Sequence, residues 1–277
     1  MIGPAGPEAG CSGIPRVDPG CAAPRDPVDS ELVMDSPHHS SAAFFDVDRT
    51  LIPGTSMEML LTFALLRHDV PGTFAWLPFL VEWFRLLPYG PTIARKANKA
   101  YMAGARPEDL RGWADDLFEG KVRPRLGDRG HAWIAREKAR GRAIVLLSGM
   151  PDLLMGPLVR TFAPDLAVAT VLEVGANGRL TGRRAGMHPY GRHKLTIARD
   201  LCARHGWDLA DSSAYGDHAS DAYLLAAVGE PYAVDPDRRL RRLALLRGWP
   251  ILQGDAPGNP SGGTPPGIDT PARGTLS

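Results

Sequence analysis

Four short apolar runs, at residues 42–47, 142–147, 212–215 and 230–234, constrain the fold most, because helical periodicity recurs between and after them. Helices are expected over 152–161, 192–205, 219–228 and 236–246. Strands alternating with helices build a parallel α/β sheet, whose neighbours are joined by helical crossovers. The first two runs are separated by a long span, from about 56 to 140, that has helical periodicities and no convincing strand. A further segment, 167–182, reads as a β-hairpin turning at Gly175-Ala-Asn-Gly178, since Asn and Gly tolerate positive φ.

The first run ends in two carboxylates, Asp46 and Asp48, with Thr50 beside them. In a doubly wound sheet the carboxyl ends of the strands face the ligand crevice, so a carboxylate there can serve as nucleophile or metal ligand. A second carboxylate two residues on is near enough to move a proton. The second run ends in Ser148 and Gly149, Lys194 opens a helical stretch, and the third run leads into Gly216-Asp217-His-Ala-Ser-Asp221. Hard Mg2+ prefers a few carboxylates with waters and a phosphate, so gathering Asp46, Asp48 and Asp217 around it is chemically sensible.

In order and spacing these segments resemble the four motifs of the haloacid dehalogenase superfamily: D-x-D-x-T, a strand-end Ser or Thr, a Lys, and G-D-x-x-x-D. The segment Ile52 to Ser56 and the stretch from Val234 through Arg247-Gly-Trp-Pro250 narrow the resemblance to subfamily IB, the phosphoserine-phosphatase-like branch. It spans about residues 42–252. It implies a Rossmann-like doubly wound core (42–55 and 141–253) with an inserted helical C1 cap (56–140). It also implies a Mg2+-dependent phosphatase that works through an aspartyl-phosphate on a small-molecule phosphate ester.

By the same resemblance Asp46 is the nucleophile and Asp48 the general acid and base. Ser148, the Gly149 N–H and Lys194 hold the phosphate. The metal is assigned to Asp46, Asp48 (through its backbone carbonyl), Asp217 and the neighbouring Asp221. Asp48 also argues against a dehalogenase, since a halide leaving group needs no acid. The substrate differs from phosphoserine: Thr55 stands where phosphoserine phosphatases place a Glu, and no cap Arg is evident. A sugar, cyclitol or other hydroxylated ester is expected instead, read by Arg49, Glu58, Arg95, Lys96 and Lys99. The competing reading is a catalytically idle phosphate-binding or membrane-surface regulatory protein. Intact Asp46, Asp48, Lys194 and Asp217 weigh against it. Phosphoserine and lipid phosphates are the alternative substrates.

A chain of 277 residues, 44% hydrophobic, can bury one core and a small accessory domain. Its net charge of +1 gives no electrostatic reason to expect nucleic acid. The sequence assigns no oligomeric state. Cys11, Cys21 and Cys202 have no metal spacing, which suits a reducing cytoplasm. The Pro- and Gly-rich stretches 1–41 and 254–277 are expected to be disordered, with His38 and His39 solvated and Met34 a candidate native start. Residues 70–87, rich in Phe, Trp and Leu, are too short to span a bilayer. They read as a packed cap helix in preference to an interfacial anchor.

Overall fold

The computed structural model describes residues 39–67, 76–89 and 98–253. Six strands form one parallel sheet: β1 (Ala42–Phe45), β2 (Ala143–Pro151), β3 (Leu166–Thr170), β6 (Ser213–Gly216), β7 (Glu230–Val234) and β8 (Ile251–Leu252). Their order is β3-β2-β1-β6-β7-β8. The chain builds outward from β1 in one direction through β2 and β3, then returns to add β6, β7 and β8 on the other side. That reversal at β1 and β6 opens the crevice in which doubly wound sheets bind ligands.

Strand β1 carries no polar residue because both its faces are covered. Phe45 packs with Ile144 and Leu146 against cap residues and the helices Arg129–Ala139 (α4) and Gly156–Phe162 (α5). Phe44, on the opposite face, packs with Val145 against Arg192–His205 (α6) and Arg238–Arg247 (α8). Each ring is wholly buried, which contributes about 2–3 kcal/mol apiece before entropy is charged. Helix α6 has the span expected for 192–205 and ends at Gly206 in the left-handed conformation that an L side chain resists.

Some expected elements are redrawn. Residues 166–170 are no arm of a hairpin: they pair parallel with β2 as an edge strand of the main sheet. The hairpin is β4 (Leu172–Val174) with β5 (Leu180–Arg184), and the Gly175 N–H donates across its turn to Arg179 O. The helix expected over 152–161 divides, with a 3-10 turn at Asp152–Leu154 before α5, because Pro157 has no N–H to continue one run. The helix expected over 219–228 is a 3-10 turn, Ala219–Asp221, opened by a capping box in which Asp221 accepts the His218 N–H, and then the short α7 (Ala222–Leu225).

Between 56 and 140 the described residues contain no strand. Helix α1 (Met57–Arg67) leads from the first strand, followed by α2 (Trp76–Leu86) and α3 (Pro107–Leu117). The hairpin clamps the turn before α3: Leu180 N–H donates to Ala105 O and Gly104 N–H to Leu180 O. Helix α4, although it precedes residue 140, packs on the sheet, where its Glu137 accepts from Tyr215, Ser213 and Arg142.

On α2, Phe79 packs inward and meets Tyr101 edge-on, as a packed helix requires. Leu77, Val81 and Phe84, on the outer face, are 62%, 61% and 68% exposed. Among the described residues no helix is long and apolar enough to cross a membrane. Residues 39–41 belong to the folded part: His39 Nδ1 lies 2.7 Å from Gly141 O, and Ser41 O accepts the Ala143 N–H. The remainder of the stretch 1–41, and all of 254–277, lie outside the described residues.

Candidate active site

The carboxyl ends of β1 and β6 meet because Asp46 N–H donates to Tyr215 O at 3.0 Å, continuing the ladder one residue past the strand. This sets the Asp46 side chain beside the loop that follows β6. The chain then turns sharply: Val47 O accepts the N–H groups of Thr50, Leu51 and Ile52, and Arg49 takes φ +65 to allow it. Thr50, fully buried, directs its hydroxyl toward Asp46 Oδ2 at 3.5 Å.

Asp46, Asp217 and Asp221 place carboxylate oxygens within 4.8 Å of one another. Lys194 neutralises part of this charge, its Nζ 2.6 Å from Asp46 Oδ1 and 2.7 Å from Asp221 Oδ1. Burial alone would lower the Lys194 pKa, but Asp221 and Asp46 outweigh it and hold the ammonium charged. Asp217 feels burial first and then the neighbouring Asp46 and Asp221 charges, which push it up to about 8. Such a group of acids could hold a divalent cation, and an oxygen-only donor set suits a hard one. Asp46 and Asp217 would hold it, with Asp221 alongside. The Asp221 oxygens are already used, one by Lys194 and one by the His218 N–H.

Asp48 has a different set of partners. Its oxygens accept from the Ser56 hydroxyl at 2.8 Å and from the Met57 N–H at 3.1 Å, at the start of α1. Burial, then the Asp46 charge, raise its pKa to about 7 against those two hydrogen bonds. The two strand-end carboxylates thus sit in different environments, the condition for giving them different roles.

Ser148 and Gly149 fall at the same end of the sheet, since Phe45 pairs with Leu146 and Ser148 lies two residues on. The residues expected to read substrate are arranged differently. Arg49 Nε is 3.4 Å from Asp217 Oδ2, so this cation belongs to the carboxylate cluster. Glu58 is engaged by Lys99 Nζ and by the Tyr101 hydroxyl, and the Lys99 side chain is wholly buried. Glu58 and Lys99 therefore satisfy each other and present no open charge pair. Arg95 and Lys96 lie outside the described residues.

Sequence reasoning passed over three residues. Asp237 accepts the N–H groups of Ala219 and Leu240, so it caps α8 and steadies the Asp217 loop, while its own N–H donates to Asp217 O. An Asp before a helical run was the available signal. Thr170 and His188, behind Gly149, gave none.

Known proteins share the sequence and the fold of this chain. The chain is 34% identical over 227 residues to an inhibition of morphological differentiation protein of Streptomyces azureus, covering 76% of this chain and 78% of that protein. It is 30% identical over 228 residues to a probable phosphatase of Mycobacterium tuberculosis, covering 80% and 78%. Among solved structures, a phosphoserine phosphatase in a phospho-aspartyl intermediate analogue shares the fold with a TM-score of 0.54 and 18% identity, over 78% of this chain and 93% of that one. The profile of the haloacid dehalogenase-like hydrolases matches residues 43–226. With these motifs at one end of a doubly wound sheet, the chain belongs to the haloacid dehalogenase-like hydrolase family, in a fold shared with phosphoserine phosphatases.

Proposed function

We propose that the chain hydrolyses a small-molecule phosphate monoester through an aspartyl-phosphate on Asp46, with Mg2+ as cofactor. The observation that carries this is the separation of the two strand-end carboxylates, Asp46 against Lys194 and Asp48 against Ser56 and the Met57 N–H. Phosphoryl transfer needs positioning and neutralisation more than covalent help. Asp46 attacks phosphorus in line. Asp48, poised near neutrality, gives its proton to the leaving alkoxide and later takes one from the water that hydrolyses the intermediate. Lys194, Ser148 and the Gly149 N–H hold the equatorial oxygens. Asp46 and Asp217 would hold Mg2+, which when bound would supply positive charge beside the phosphoryl group. The helical insert from residue 56 up to α4 acts as a cap that limits water and selects the ester.

The preferred ester is a sugar, cyclitol or other hydroxylated phosphate. Support comes from Glu58, whose carboxylate is taken up by Lys99 and Tyr101 and so is not open to an amino acid's ammonium. The test is hydrolysis of an aryl phosphate by the purified chain with Mg2+ and with a chelator. Activity should vanish on chelation, and Asp46→Asn should cost at least ~10³-fold. Full activity in Asp46→Asn would overturn the mechanism.

A further inference from the structure

Behind Gly149 lies a chain of hydrogen bonds whose direction can be read from its donors. Thr170, at the end of β3, is 1% exposed and His188 is 5% exposed. The Thr170 hydroxyl donates to Gly149 O at 2.9 Å, and Thr170 Oγ1 also lies 2.7 Å from His188 Nδ1. A hydroxyl has one proton. Because it is spent on the carbonyl, the second contact must run from the Nδ1–H of His188 to the oxygen of Thr170, which fixes where that ring carries a proton.

The carbonyl so held belongs to the Gly149–Met150 peptide. At the other end of this planar group the Met150 N–H donates to Ser148 Oγ at 3.3 Å. Ser148 Oγ is thereby an acceptor from behind, and its own proton is left to point elsewhere. The arrangement is close-packed: a Cβ on Gly149 would come within 2.9 Å of His188 Cε1. His188 is in turn anchored to the loop before Lys194, since its carbonyl accepts the Tyr190 N–H at 2.7 Å and its ring stacks on Tyr190.

We infer that His188 and Thr170 are positioning residues that fix the Gly149–Met150 peptide, and through it orient the Ser148 hydroxyl as a donor to a phosphate oxygen. The inference rests on the reading of Ser148 as a phosphate ligand. The order is His188 Nδ1–H to Thr170, Thr170 to the Gly149 carbonyl, Met150 N–H to Ser148, and Ser148 to phosphate. Bonds in series polarise one another, so the last donor is strengthened as well as aimed. No proton is transferred along the chain.

The test measures competitive inhibition by inorganic phosphate at fixed Mg2+, alongside kcat and KM, in variants whose melting temperature confirms folding. Thr170→Val removes both bonds at constant shape, whereas Thr170→Ser keeps them. His188→Leu and His188→Asn form a second pair, since the Asn amide nitrogen can stand near the position of Nδ1. Thr170→Val and His188→Leu should each weaken phosphate binding by about 10-fold, with Thr170→Ser and His188→Asn within about 3-fold of wild type. In a Ser148→Ala background, Thr170→Val should cost less than about 2-fold more, because the hydroxyl it orients is gone. Equal losses with and without Ser148 would overturn the relay and leave a plain packing role. Unchanged phosphate binding in Ser148→Ala alone would instead overturn the reading of Ser148 and the inference with it.

Discussion

Replacing Lys194 by Met isolates what one buried ammonium contributes to three crowded carboxylates. The side chain is 5% exposed and touches both Asp46 and Asp221, which are themselves 12% and 5% exposed. Removing one partner of a buried pair costs about 3–5 kcal/mol, because the remaining charge is stranded. Here the stranded group is a cluster of three, and the Arg49 beside it is half exposed. A protein of this size loses roughly 2–4 °C of melting temperature per kcal/mol, so the variant should melt about 10 °C lower in chelator. Mg2+ should return much of the loss, since a cation bound only to the native state adds about 2.7 kcal/mol at a hundredfold excess over its Kd. Its stabilising shift should exceed that of wild type, where Lys194 repels the incoming metal. Activity should stay about 10²-fold low even then, because phosphate neutralisation is not restored. Thermal melts with and without Mg2+ decide the matter. Equal melting temperatures in chelator, or a smaller Mg2+ shift in the variant, would refute the reasoning.

Glu230 gives a pH prediction away from the crevice: burial would raise its pKa, but hydrogen bonds from Arg142, Arg140 and Tyr232 outweigh it and hold it at about 2, below its usual 4.5. A carboxylate depressed on folding stabilises fully above its unfolded pKa and loses that contribution as pH falls toward the folded value. Roughly 2–3 kcal/mol should therefore disappear between about pH 5 and pH 2. Glu230→Gln should flatten this part of the acid unfolding curve, and an unchanged curve would count against the assignment. Gly216→Ala would put a Cβ 2.7 Å from Asp221 Cβ, so we expect about 1–3 kcal/mol of destabilisation in chemical denaturation and a rate loss of about 10²-fold as Asp221 leaves Lys194. In a panel of phosphate esters, kcat/KM for phosphoserine should fall roughly 10³-fold below the best polyol or sugar phosphate. Phosphoserine ranking first would end the specificity argument.

The parts legible in the sequence are those where residue type and position carry the chemistry together. Asp46, Lys194 and Asp217 are charged residues at strand and helix ends, and the fold brings them within reach of one another. Helix α6 was readable because its period is regular and Gly206 stops it. What escaped acts through backbone. Thr170 closes a strand like many threonines, and its importance lies in the Gly149 carbonyl that it meets. Strand β3 was misassigned because a five-residue apolar run next to a turn suits either a hairpin arm or a sheet edge; only the pairing with β2 decides. Strand β8, two residues long, has too little pattern to announce itself. The pairing of Glu58 with Lys99 escaped because two opposite charges 41 positions apart give no sign in sequence that they will neutralise each other.

The position of β1 in the sheet also governs how the molecule comes into being. Ala42 pairs with Ala143 and Ala43 with Ser213, so the strand that leads into Asp46 is made long before either of its neighbours. On a ribosome adding about 5–20 residues each second, the Ala-Phe-Phe run waits roughly 5–20 s for its first partner and longer for its second. Helices α1 and α3, whose contacts are local, can form in that interval, whereas closing the sheet must first overcome the entropy of a long loop. Folding should therefore be slow and set by the arrival of β6, with an apolar strand exposed to chaperones or to other nascent chains until the chain has passed residue 216.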